Sequence, residues 1–365
     1  MIVAPVVLGA IYDGVARAHG ASSEEATMFR DRLLRADLRN HSTQGAALIP
    51  YIDEMLGTGQ MRFRAPLEVL ADAPAVALVD AHFGVGQVVG TRCMTIAIEK
   101  ARTTGMGCVA VRNSGDFAMA SAYSMLALDH GMVGFAMSNG KPLVAPWGGR
   151  DPLFCTNPIS AAFPARDRFP IVIDMATSAF SMGEAIRTAR DGRKLSSIGV
   201  VDSKGRYGDD PAAIVADPYD RESRLHGALL PLGPKGYSML LMVELMCSAL
   251  VGATGSWGND YDPTGETPWR HGHCFLALAP DALAGLDAFG DLVDGLIDAV
   301  ENSTPARGSA GVRVPGSAAH EEEVRRARDG VPVRDEELER LLSVARLRGL
   351  NELADRAAAG ASSLP

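Results

Sequence analysis

The chain has no excess of positive charge: 35 Lys and Arg face 44 Asp and Glu among 365 residues, a formal net charge of −9 with the eight histidines neutral. Phosphate backbones and anionic lipid surfaces are read by the opposite sign, and no basic or aromatic motif compensates, so the expectation is no nucleic-acid and no membrane partner. Cysteine is scarce as well. Cys93, Cys108, Cys155, Cys247 and Cys274 are five in number, widely spaced and without a C-x-x-C pair, which excludes a disulfide framework and suits reduced thiols in a cytoplasmic protein. The opening ten residues are apolar but lack a basic stretch, and Asp13 and Arg17 soon interrupt them, so neither a signal peptide nor a membrane span is expected there. No internal repeat and no low-complexity tract is visible.

What the chain does have is a globular balance, 47% apolar and 22% charged residues, at a length that roughly 150 residues per domain divides into about two domains or one large one. Leu8, Ile11, Val15 and Ala18 recur at helical spacing up to Gly20, and Ser22 and Glu25 have capping-box spacing ahead of Ala26, Phe29, Leu33 and Ala36. Two amphipathic helices therefore open the chain. Short apolar runs at 76–80, 108–111, 133–136 and 171–173 read as strands, with helical stretches expected around 92–104 and 117–130, an α/β alternation. Residues 235–251 are apolar on nearly every side with Glu244 the only acid, which predicts a helix buried in the core or at a subunit interface. Residues 253–272 have loop composition, 274–278 resume as a strand, and Phe289, Leu292, Val293, Leu296, Ile297 and Val300 mark a further amphipathic helix; from His320 the tail alternates charged helical pieces.

Single motifs carry little chemistry. Gly84, Gly86 and Gly90 follow a strand and precede a helix, but the third glycine falls one place late for a dinucleotide fingerprint, and a turn that brings backbone close to a neighbour explains them. His271, His273 and Cys274 lack a second ligand cluster, so no metal site is expected. Asp174-Met175-Ala176-Thr177-Ser178 follows a strand and reads as a helix opening able to receive a phosphate or ribose, and Lys235-Gly236 opens the apolar helix in the same manner.

The order of these segments resembles the type 2 malate/L-lactate dehydrogenases, over nearly the whole chain. The carriers are Ala36 to Arg39, Ala97 to Ala101, Asn113 to Gly115, Ala145 to Gly149, Thr156-Asn157-Pro158, Asp174 to Ser178, Asp210-Pro211, Pro234 to Gly236 and Val312 to Gly316. That resemblance implies a non-Rossmann α/β fold: a central nicotinamide-cofactor-binding domain with a mixed sheet over 76–309, and a helical, substrate-side domain made from both termini, 1–75 and 310–365. It implies NAD(H) or NADP(H) as cofactor, with the choice open, a small-molecule substrate and a homodimer. The cofactor segments match Thr156, Asn157, Pro158, Asp174, Met175, Ala176, Thr177, Ser178, Lys235, Gly236, Arg313, Pro315 and Gly316.

The substrate-handling positions depart from the family pattern. The family's active-site histidine aligns with Gln44, after Thr43; its carboxylate-gripping arginine aligns with Leu48, a tyrosine with Ile52, and a second histidine with Asp116. Lys141 is retained, and His41 lies three places before Gln44. Hydride transfer to a ketone creates an alkoxide that needs a proton, the usual task of histidine; glutamine cannot titrate. An iminium already carries its proton and its positive charge, which an ionised Asp116 can stabilise. The expectation is thus an NAD(P)-dependent oxidoreductase for an atypical small substrate, a cyclic imine or an amino-containing carbonyl compound, with Asp116, Lys141 and Gln44 as its catalytic set. The alternative is a family member that has lost redox chemistry and serves as a cofactor-free enzyme or a structural partner.

Overall fold

The computed structural model describes residues 1–215, 226–259 and 270–360. The chain opens with a two-residue strand β1 (Ile2–Val3), then α1 (Pro5–Ala18), α2 (Ser23–Leu38) and α3 (Ile49–Gly57). Pro5 sits in the first turn of α1, where its missing N–H costs nothing, and α2 begins in a complete capping box: Ser22 Oγ accepts from Glu25 N and Glu25 accepts from Ser22 N. Strands β2 (Glu68–Asp72) and β3 (Val76–Gly84) follow, then α4 (Gly86–Thr104), β4 (Met106–Ser114), a short α5 (Ser121–Ser124), β5 (Val133–Ser138), β6 (Ile159–Phe163), β7 (Ile171–Met175) and α6 (Met182–Arg190). Three small strands, β8 (Val200–Asp202), β9 (Tyr207–Gly208) and β10 (Gly227–Leu229), precede α7 (Gly233–Cys247), β11 (His271–Leu278) and α8 (Leu286–Glu301). The chain ends in α9 (Ser317–Asp329), β12 (Val331–Pro332), α10 (Asp335–Leu347) and α11 (Asn351–Ala358).

Seven strands form one mixed sheet in the order β2-β3-β4-β11-β5-β6-β7, in which only β3 and β4 run parallel. The strand period of two divides β11 between both faces: Phe275 and Ala277 pack with Met94 and Ile98 of α4, whereas Cys274 and Leu276 pack with Val243 and Cys247 of α7. Both faces of the central strands are thereby covered, which is why their sequence is continuously apolar. A separate helical core joins Leu8, Ile11, Phe29, Leu33, Ile49 and Ile52 from the N-terminal helices to Leu341, Leu342, Ala354 and Ala357 from the C-terminal ones. Pairing of Val3 with Val331 ties the two ends together.

Four sequence expectations are corrected. Residues 117–130 do not form one helix: Ala118 has φ +64, and only α5 and a 3₁₀ turn at Met125–His130 follow. The buried Phe117 ring occupies the start of that segment, stacked against His273 and Tyr123, and the chain bends to place it. Asp174 to Ser178 do not open a helix; Asp174 and Met175 end β7, and α6 starts only at Met182, capped by Ser181. The strongly amphipathic reading at 289–300 holds for Val293 and Ile297, but Leu292 and Leu296 face outward. Of the expected loop at 253–272, residues 260–269 lie outside the described residues, and His271 already belongs to β11.

Candidate active site

A cavity of about 270 Å³ lies where the loop after α2 meets the ends of β4, β5 and β7. Its helical side is set by a buried anchor. The Asp37 carboxylate accepts from Tyr12 Oη at 2.5 Å and from Ala46 N at 3.0 and 3.2 Å, and a Cβ on Gly45 would collide with it. This pins the turn that presents His41, Thr43 and Gln44 to the cavity, with Leu48 and Tyr51 following from the next helical turns. Burial is the main cause that raises the Asp37 carboxyl to about 7, against the opposing hydrogen bonds from Tyr12 and Ala46.

The opposite side is built from strand ends. Beyond β4, Asp116 Oδ1 accepts from Ala118 N at 2.8 Å, and the Asp116 carbonyl receives Gln87 Nε2 at 3.3 Å. Gly86 passes so close to that carbonyl that a Cβ would overlap it, which is the close approach the glycine turn serves. Asp174 lines the cavity from the end of β7, with Oδ2 fixed by Ser121 N at 2.8 Å. Ser138, Asn139 and Lys141 line it from the end of β5.

Beneath this wall lies Glu244 of α7, buried, its carboxylate bonded among the described residues to neutral donors: Asn139 Nδ2 at 2.9 Å, Asn157 Nδ2 at 2.8 Å, Ser256 N at 2.8 Å and Ser256 Oγ at 3.0 Å. Asn139 in turn accepts from Gly272 N at 2.8 Å through Oδ1, and its carbonyl lies 3.1 Å from His271 Nδ1. A carbonyl only accepts, so Nδ1 carries the proton in that bond. His271 lines the cavity; no sequence reading had placed it there, because only the pairing of β11 beside β4 brings it near Asp116. His273, two residues on, is wholly buried, 2.9 Å from Ser138 Oγ and 3.3 Å from the Gly115 carbonyl, and burial pushes it down to about 3. It is a neutral structural residue. Burial likewise pushes the Cys155 thiol in the cavity wall up to about 11, so little thiolate is present near neutrality.

The structure therefore brings together Asp116, Lys141, Gln44, Thr43, His41, Leu48, Thr156, Pro158, Asp174, Met175 and Ala176. His41, on its own an ordinary loop histidine, is a cavity residue. Ile52 is not: it is buried in the helical core, and the neighbouring Tyr51 faces the cavity instead. The reason is helical phase, one residue turning the side chain by about 100° on α3. Asn157, Thr177 and Ser178 brace the wall from behind. Asn157 Nδ2 holds Leu240 O and Glu244, Thr177 Oγ1 bonds the Thr156 and Asn157 carbonyls at 3.1 and 3.0 Å, and Ser178 Oγ bonds Phe180 O. Lys235 and Gly236 start α7, Arg313 pairs with Glu321 at 2.8 Å, and Gly316 packs on Val172; with Pro315, these do not line the cavity. Arg187, Arg193 and Lys194, cations able to meet a ribose phosphate, are engaged with Glu337, Asp191 and Asp209.

The donor set suits a flat heteroaromatic ring bearing an amide. Met119, Ala120, Pro158, Met175 and Ala176 offer apolar cover, and the Thr156 hydroxyl and Asp174 carboxylate border it. Beside the Asp174 anchor, Ser121 Oγ is buried with no hydrogen-bond partner among the described residues. Among the described residues no group of three or more His, Cys, Asp or Glu could hold a metal ion, and no helix is long and apolar enough to cross a membrane.

Comparison with known proteins agrees with this architecture. Residues 6–342 match the family model described as malate/L-lactate dehydrogenase. The L-sulfolactate dehydrogenase of Methanocaldococcus jannaschii is 31% identical over 338 residues, 92% of this chain and 94% of that protein. A solved structure of sulfolactate dehydrogenase from that organism superposes with a TM-score of 0.85, covering 97% of this chain and 99% of the other. That of delta1-piperideine-2-carboxylate reductase from Pseudomonas syringae pvar. tomato gives 0.80 at 30% identity, covering 94% of this chain and all of the other.

Proposed function

The chain belongs to the malate/L-lactate dehydrogenase family, a family of oxidoreductases, and from that premise we propose that it is an NAD(P)-dependent reductase, or the reverse dehydrogenase, for a small cyclic imine or amino-containing carbonyl compound without the usual carboxylate. The observation that carries this reading is the composition of the cavity wall: Asp116 and Asp174 supply carboxylates, while Leu48, the position that the resemblance aligns with the family's carboxylate-gripping arginine, is apolar. NADH or NADPH, when bound, supplies a hydride to the substrate carbon. Thr156, Pro158, Asp174, Met175 and Ala176 would hold its nicotinamide end.

The chain's own residues do the rest. Asp116 faces the cavity with one oxygen tied to Ala118 N, so its orientation is fixed before substrate arrives, and its negative charge stabilises a cationic C=N group in a site partly closed to water. Gln44 and Thr43 donate hydrogen bonds without titrating, and Lys141 sets the charge of the rim. Residues 76–309 carry the cofactor side in this reading, and 1–75 with 310–365 the substrate side. The outward face of α7 and its continuation, Met242, Leu245 and Leu250, is exposed and apolar, which supports a homodimer; light scattering from the eluting protein tests it, and a stable monomer contradicts it. Replacing Asp116→Asn tests the chemistry. The expected result is a large loss of imine reduction with NADH or NADPH affinity nearly unchanged, and wild-type turnover in that variant removes Asp116 from the mechanism.

A further inference from the structure

Leu48 offers a substrate carboxylate no charge, but cations stand one chamber further out. A second cavity, of about 480 Å³, adjoins the first and shares His41, Thr43 and Ser181 with it as lining. Resting on the reductase reading above, we infer that this outer chamber is an anion subsite for the same substrate. The imine head lies against Asp116, and an oxyanion tail, a carboxylate or a phosphate, ends among Arg187, Arg193 and Lys194.

Three features carry this. The first is charge: in a chain of formal net charge −9, the outer lining sets Arg187, Arg193 and Lys194 against a single acid, Glu184. The carboxylates that pair with these cations, Glu337, Asp191 and Asp209, are not among the lining residues, so each cation is oriented from outside the chamber. The second is donor supply. Arg187 is fixed between Glu337 Oε1 at 2.9 Å and Ser42 Oγ at 3.1 Å, which leaves the Ser42 hydroxyl its own proton to donate. Arg193 meets Asp191 through Nε and Nη2, and its Nη1 has no partner among the described residues; Lys194 spends one of three N–H groups on Asp209. The Arg193 and Lys194 side chains are 64% and 67% exposed, and ion pairs this exposed are weak enough for an incoming oxyanion to share or displace them.

The third is continuity. Helix α6 serves both chambers: Met182, Gly183 and Ile186 line the inner cavity, and Glu184, Arg187 and Thr188 the outer one, a division that the helical period of 3.6 residues places on two faces. A Cβ on Gly183 would stand 2.8 Å from Thr43 Cβ, so glycine keeps open the space between α6 and the turn that carries Thr43. One molecule can therefore lie across both chambers. A carboxylate on the reacting carbon itself stays in the inner cavity with Leu48, whereas one several bonds away reaches the outer cations. The substrate class that follows is a cyclic imine with a remote anionic tail.

The test uses the full-length protein with 4-(1-pyrrolin-2-yl)butanoate, its neutral isostere 4-(1-pyrrolin-2-yl)butanamide, and tail-free 1-pyrroline as the reference. The two tailed imines share one shape, so their ratio of kcat/KM reads the charge of the tail. In the wild type the butanoate is expected to be favoured by at least about tenfold, the worth of one hydrogen bond to a charged group. The double variant Arg193→Gln with Lys194→Gln should bring the ratio close to unity. A readout independent of turnover accompanies it: calorimetric titration with inorganic phosphate is expected to show binding to the wild type that the double variant weakens by at least about tenfold. A ratio near unity in the wild type, or one unchanged in the double variant, overturns the subsite while cofactor binding leaves the reductase reading standing. A double variant that keeps the ratio but loses NADPH affinity relative to NADH gives these cations to the cofactor's ribose phosphate and likewise overturns it. If the wild type binds neither NADH nor NADPH, the reductase reading falls; phosphate binding that the double variant loses then upholds the anion site alone, and no phosphate binding overturns both.

Discussion

The Asn157 side-chain amide donates to the buried Glu244 carboxylate at 2.8 Å, and the same carboxylate holds Asn139, so one acid on α7 braces both the Thr156 to Pro158 wall and the strand end that carries His271. Among the described residues the Glu244 carboxylate accepts four hydrogen bonds, all from neutral donors. Glu244→Gln puts an N–H₂ group opposite two of those donors, and leaving buried donors unmatched costs about 1–3 kcal/mol. Urea unfolding is expected to show a loss in that range, and an unchanged midpoint contradicts the bracing role.

Asp37 makes the helical side of the cavity pH-dependent. Its carboxyl is raised to about 7 in the folded chain, mainly by burial, whereas an unfolded carboxyl titrates near about 4. A folded value above the unfolded one stabilises at low pH, with the contribution complete below about 4 and lost as pH rises through about 7. Asp37→Asn is expected to flatten this part of the stability profile, as measured by denaturant midpoints between those values.

His273 contributes with the opposite slope. Burial, reinforced by the charge of His271, pushes it down to about 3, below the ordinary value of about 6.5. Its stabilisation is present above about 6.5 and is lost as pH falls toward about 3, because unfolding lets the ring take up a proton. Nitrogen-detected NMR should find this imidazole neutral across that window while the protein stays folded.

Much of this was legible in the residues themselves. The Ser22 and Glu25 capping box, the apolar runs of β3, β4 and β11 and the all-round apolar α7 each carry a local signal that the fold obeys. What escaped has no such signal. Strand β2 is exposed along its whole length and shows no alternation, and β6 is short. The segment at 117–130 has helical composition, but packing of Phe117 against His273, far away in sequence, decides its course. Tyr51 and Ile52 differ only in helical phase, which a motif alignment cannot resolve to one residue. His271 reads as half of a failed metal motif until strand pairing sets it beside the Asp116 turn.

Leu48 gives a direct test of substrate class. It lines the cavity and, on the proposed reading, stands at the position that aligns with the family's carboxylate-gripping arginine, so Leu48→Arg should raise kcat/KM for 2-oxo acids relative to 1-pyrroline by at least about tenfold, near the lower end of the about 1.5–3 kcal/mol of a hydrogen bond to a charged group. An unchanged ratio contradicts the idea that the missing cation sets the preference.

The central claim is that this cavity still serves a nicotinamide cofactor. Titration of the purified protein with NADH and, separately, NADPH, followed by calorimetry or nucleotide fluorescence, tests it most directly. Micromolar binding of one or both is the expected result and identifies the cofactor with which imines and keto compounds are to be screened. No binding of either at millimolar concentration contradicts the account and assigns the inherited fold to cofactor-free chemistry or to a protein partner.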